Sequence, residues 1–159
     1  MNELRKKKGH RRPGNFVAIP LSDGTVSFGR ELREGVVAFY DLRSDSIPEL
    51  DEIEKAPTLF KVSVMDRAIK SGRWRVIGNK PLREGLEKPT AFFMQDATSG
   101  EFSLYREGAI RPATEDQCRG LERAAVWDPE HVEDRLRDHY AGRTNIWVNS
   151  LKPKRRNRN

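Results

Sequence analysis

Cysteine is almost absent from this chain: Cys118 stands alone, so no intramolecular disulfide can form, and an unpaired thiol fits a reducing cytosol. Long apolar runs are missing as well. The longest, Val36 to Tyr40, is five residues, against the roughly 20 that a membrane-crossing helix needs, and no signal peptide opens the sequence. A cytoplasmic protein with no membrane partner is the expectation. Histidine is scarce, with three in 159 residues, and only His131 and His139 fall outside the N-terminal tail. No GxSxG elbow, Gly-rich phosphate loop, HExxH or paired CxxC occurs. Water activation by two metals draws on several histidines or carboxylates, so the sequence assigns no catalytic residue, no metal ligand and no cofactor. Cys118 follows a capping box formed by Thr114 and Gln117, which reads as a helix-turn thiol rather than a nucleophile.

A basic fold is lacking too, despite a net charge of +6. Residues 1–12 and 152–159 contribute +5 each, leaving −4 for residues 13–151. The chain therefore divides into a basic tail, 1–12, a single domain, 13–151, and a second basic tail, 152–159. Both tails lack an apolar pattern and are expected to be disordered. They offer weak, salt-sensitive contact with nucleic acid and no base-reading feature. A chain of this size buries about two-thirds of its unfolded surface and needs no disulfide to fold.

What is present is first a run of strand signals. Phe16, Ala18 and Pro20 alternate with Val17, Ile19 and Leu21, Asp23-Gly24 makes a hairpin turn, and Val26, Phe28, Arg30 and Leu32 share one side of a return strand. Val36 to Leu42 is a third strand, in which one of Phe39 and Tyr40 is expected inside and the other outside, making Tyr40 a contact residue. Further strands are expected over Leu59–Val64 and Arg73–Ile77, and Ala91–Met94 and Phe102–Arg106 flank a second hairpin at Ser99-Gly100. The class is α+β, mostly β: a small curled antiparallel sheet or SH3-like barrel with a C-terminal helix packed on it.

That helix is the clearest in the chain. Asp128 suits its N-cap, Pro129 its first position and Gly142 its stop. Val132, Leu136 and Tyr140 make an apolar stripe, and Glu130, Asp134 and Asp138 make an acidic row centred opposite it, expected to face water. Like charges four apart cost about 0.2 to 0.5 kcal/mol per pair. Asp134 can reach Arg137 and His131, and Asp138 can reach Arg135, which offsets the cost. A second acidic patch, Glu49, Asp51, Glu52 and Glu54, surrounds Ile47, Leu50 and Ile53 on a short amphipathic segment ended by Pro57. The candidate partner-binding residues are Glu130, Asp134, Asp138, Glu49, Asp51, Glu52, Tyr40 and Arg73, the last because Arg73-Trp74 joins two residue types enriched in binding hot spots. Trp147 is expected to pin the C-terminus onto the domain.

The segments PGNFVAIPLSDGTVSFGR from Pro13, AFYDLRSD from Ala38, IKSGRWRVIGNKPL from Ile69, RPATEDQCRGLERAAVW from Arg111 and the run from Gly120 to Gly142 together resemble family twenty-six of the bacterial immunity proteins, which accompany polymorphic toxins. The likeness spans nearly everything between the tails. It implies a cytoplasmic protein that binds and blocks a cognate toxin. The family is also named for a small phosphotriesterase-like protein, so the resemblance implies a second reading, metal-dependent hydrolysis, for which His131, His139, Asp134 and Asp138 would be the first candidates. The chain departs from the family pattern at Asn15, where an acidic residue is expected.

Overall fold

The computed structural model describes residues 8–83 and 85–155; the expectation of disorder at residues 1–7 and 156–159 lies outside the described residues. Three strands open the fold as an antiparallel meander: β1 (Asn15–Pro20), β2 (Val26–Glu31) and β3 (Val36–Ser44). The first turn forms where Asp23-Gly24 places it, with the Asp23 carboxylate accepting from the Thr25 amide at 2.9 Å and Gly24 at φ 86°, a conformation that suits glycine. After α1 (Leu50–Lys55), β4 (Thr58–Val64) extends the sheet beyond β3, and after α2 (Arg67–Lys70), β5 (Arg75–Asn79) returns to pair with β1. A separate antiparallel sheet follows from β6 (Phe92–Gln95), β7 (Phe102–Arg106) and β8 (Ala109–Ala113). Then come α3 (Glu115–Cys118), the two-residue β9 (Val126–Trp127), α4 (Pro129–Ala141) and α5 (Ile146–Ser150).

The large sheet runs β5-β1-β2-β3-β4-β9, with only the β4–β9 pair parallel. It stays open, because β5 and β9 lie at opposite edges. The expected curled sheet or SH3-like barrel is therefore corrected to a six-stranded mixed sheet and a three-stranded antiparallel one. Closure would need the outer strands to pair, and the chain instead covers both faces of the sheet with helices.

That cover also overturns the expectation that Tyr40 faces out. Val17, Ile19, Val37, Phe39 and Val62 line one face and bury Val132 and Leu136 of α4 with Trp74. Phe16, Ala18, Phe28 and Tyr40 line the other and bury Ile53 of α1. Full burial of side chains such as Val132 and Leu136 contributes about 1.5 to 3 kcal/mol each. Phe39 and Tyr40 are both inside, on opposite faces, because consecutive strand residues alternate and neither face is left to water.

Two charged side chains are buried next to each other in β2. Arg30, 1% exposed, donates to the carbonyls of Gly14 and Lys80 at 2.8 Å each, reaches the Tyr40 hydroxyl, and lies 3.9 Å from the Phe16 ring centroid. Glu31 accepts from Arg11 Nε at 2.9 Å and Asn15 Nδ2 at 2.8 Å. Asn15 thus donates where a carboxylate would face a carboxylate, which accounts for the amide at this position. Arg11, within the basic 1–12 segment, also bonds Asp66 and the carbonyls of Val64 and Gly35. Among the described residues no helix is long and apolar enough to cross a membrane.

Candidate interaction surfaces

The α4 acids are half-buried rather than turned fully to water. The helix starts and stops where Asp128, Pro129 and Gly142 place it, yet the Asp128 carboxylate makes no cap bond; it meets Arg67 and His131 instead. Glu130 takes a two-pronged grip from Arg67 at 2.8 and 2.6 Å, with Arg73 at 3.5 Å. The Arg67 hydrogen bonds hold the Glu130 carboxyl down at about 2. Asp134 accepts from Arg137 and from Trp147 Nε1. Asp138 accepts from Asn145 at 2.9 Å and lies 3.5 Å from Arg143. The expected Asp138–Arg135 pair does not form, because Arg135 turns to Glu122 and stacks 3.6 Å from the Phe60 ring centroid.

Arg73, read as a hot-spot residue, is spent on the same helix. Its guanidinium grips Glu133 at 2.7 and 3.0 Å, and the buried Trp74 donates its indole N–H to that carboxylate at 3.1 Å. Glu133 lies between the acidic and apolar stripes, which is why counting along the acidic row passed it over. Trp147 does pin the C-terminal helix: it stacks on His131 at 3.6 Å between ring centroids and bonds Asp134.

On the opposite face of the sheet, α1 turns Leu50 and Ile53 inward and Asp51, Glu52 and Glu54 outward. Gly78 lets it sit close, since a Cβ there would lie 2.5 Å from Leu50 Cδ1. Lys80 pairs with Asp51 and Glu54, and the bond from Lys80 lowers the Asp51 carboxyl. Glu49 and Glu52 are exposed, and their carboxylates have no hydrogen bond or ion pair among the described residues. Ile47, 48% exposed, precedes them. Tyr40 lies beneath this helix, 2% exposed, stacked on Phe16 and bonded by Arg30, so it presents no surface to a partner.

The two body histidines are held apart by their partners: His131 by Asp128 and Trp147, His139 by Asp41 at 3.1 Å. Among the described residues no group of three or more His, Cys, Asp or Glu is placed to hold a metal ion. Cys118 is buried, and burial pushes its thiol up, away from the thiolate that nucleophilic attack requires.

The model of the immunity protein 26 family matches residues 12–104, more than half of the chain, and the chain belongs to that family. No curated protein and no solved structure matches it. The matched segment contains all of α1 and ends before α4, so the run from Gly120 to Gly142, in which part of the resemblance is read, lies beyond it.

Proposed function

We propose that this immunity-family chain neutralises a cognate toxin by binding it in the cytoplasm of the producing cell, through an acidic surface centred on Glu49, at the N-cap of α1, and Glu52 within it. The observation that carries this reading is the pair of uncommitted carboxylates inside the family-matched segment. A carboxylate already gripped by arginine adds little net potential at a distance, whereas a free one attracts a basic partner and can occupy a basic groove. Glu130, Asp134 and Asp138 are each matched by a cation, so they serve the surface less than α1 does. Cys118, unpaired and buried, is compatible with a reducing compartment.

The test is the double reversal Glu49→Lys/Glu52→Lys, co-expressed with the cognate toxin. Protection is expected to fall at least tenfold while the melting temperature stays within about 2 °C, since solvated surface changes cost little stability. Undiminished protection by the folded variant removes α1 from the interface.

A further inference from the structure

The described part of the C-terminal basic segment is held, and it is held by its main chain. The Gln95 side-chain amide makes a two-way clasp with Lys154, donating to its carbonyl and accepting from its N–H at 2.8 Å each. Arg123 donates to the carbonyls of Leu151 at 2.9 Å and Lys152 at 3.2 Å and lies 4.8 Å from the Phe93 ring centroid. Because these bonds use backbone atoms, the side chains of Lys152, Lys154 and Arg155 stay exposed and unpaired among the described residues. A tail that only improves solubility needs no such hold.

Three clefts continue from this segment across the smaller sheet. The first, about 340 Å³, is rimmed by Lys154 and Arg155; the second, about 470 Å³, by Lys152 and Arg119; the third, about 540 Å³, by Arg106 and Arg111. The first two share Arg123 and the last two share Leu121 as a common wall, so the clefts are neighbours. Of the four acids that line them, Glu122 is paired with Arg135, while Asp96 accepts from the amides of Thr98 and Ser99 and keeps its charge. The eight Lys and Arg that line the clefts stand against these four acids and Asp116, which pairs with Arg119, so the track is left at about +3 by Coulombic bookkeeping. The middle cleft has a half-buried apolar floor of Leu121, Val148 and Leu151.

We infer that this track binds single-stranded nucleic acid, with phosphates along the cationic rim and unpaired bases against the apolar floor. A duplex hides its bases from such a floor, and a bilayer is bound by apolar side chains that project into it, whereas Leu121, Val148 and Leu151 are recessed in a cleft. The inference is independent of the toxin-binding reading, because it uses another surface and other residues.

The experiment measures fluorescence anisotropy of a labelled fifteen-nucleotide oligouridine with the full chain. Binding is expected at 50 mM salt and should weaken roughly twenty-fold at 200 mM, as neutralisation of about three phosphates on a single strand requires. Lys152→Glu/Lys154→Glu/Arg155→Glu should weaken it at least tenfold. Arg106→Glu/Arg111→Glu, at the far end, should weaken it several-fold and flatten the salt dependence. Gln95→Ala keeps every charge and should still weaken binding, because the segment is released, and it serves if a reversal variant melts early. Reversing Lys6, Lys7 and Lys8 should do less than either track variant. The inference is overturned by no binding at 50 mM, by binding that survives both track reversals, by loss only on N-terminal reversal, by tighter binding of a fifteen-base-pair duplex, or by capture on vesicles containing phosphatidylserine without oligouridine binding.

Discussion

Helices α1 and α4 cover opposite faces of one sheet, and both carry acids at helical spacing, yet the two sets of acids meet different fates. Around α4 the chain supplies an arginine for each: Arg67 and Arg73 from the connection between β4 and β5, Arg137 from within the helix, Arg143 from the loop beyond it. Around α1 it supplies Lys80, which reaches Asp51 and Glu54 and leaves Glu49 and Glu52 free. The acids of α4 are all paired with neighbouring side chains, while beside α1 Glu49 and Glu52 keep their charge unpaired among the described residues. Equal acid content on two helices therefore says little about which one binds.

The sharpest way to break this comparison is Glu133→Ala. It strips the buried Trp74 indole and Arg73 of their shared acceptor, and leaving such donors unsatisfied costs about 2 kcal/mol, or about 4 to 8 °C for a chain of this size. A thermal melt checks it; a change below about 1 °C would show that the α4 network is decorative. Next in size is Gly78→Ala, whose new Cβ would meet Leu50. Overpacking of this kind costs about 1 to 2 kcal/mol, and because it displaces α1 it should lower toxin protection together with the melting temperature.

Glu130→Gln probes the pH dependence. The carboxyl is held at about 2 in the fold against an ordinary 4.5, so its pairing with Arg67 stabilises the protein fully above the ordinary value and is lost as pH falls from there toward 2. The variant should flatten the fall in melting temperature over that window, with a small effect at neutral pH because the pair is exposed and screened. Smallest of all is Glu49→Gln/Glu52→Gln, which removes free charge and should leave stability within about 0.5 kcal/mol. A larger loss on denaturant unfolding would mean that these carboxylates have structural work after all.

Much of the local structure was legible in the sequence. Asp23-Gly24 and the alternation of Phe16 to Leu32 placed the first hairpin, Pro129 and Gly142 bounded α4, and the Thr114–Gln117 capping box forms with both of its bonds. These signals are short-range, a few residues acting on their own backbone. Strand β8 and helix α5 carry little local signal: β8 is exposed along most of its length and so lacks an alternating apolar face, and α5 is a five-residue turn capped by Asn145. At the candidate surfaces the helical spacing of the acids is legible in the sequence, but which of them are paired is not. Arg67 and Glu130 are 63 positions apart, and no local pattern announces that they meet.

By itself the sequence determined where strands turn, where the long helix starts and stops, which residues are apolar enough for the core, and the family through residues 12–104. Only the tertiary structure decided that the sheet stays open between two helical layers, that Tyr40 is inside, and that the acids of α4 are paired while Glu49 and Glu52 are not. The reason is physical. Turn and cap preferences are settled by the backbone within a few residues, whereas burial and charge pairing depend on which distant segments the packed core brings to the same face.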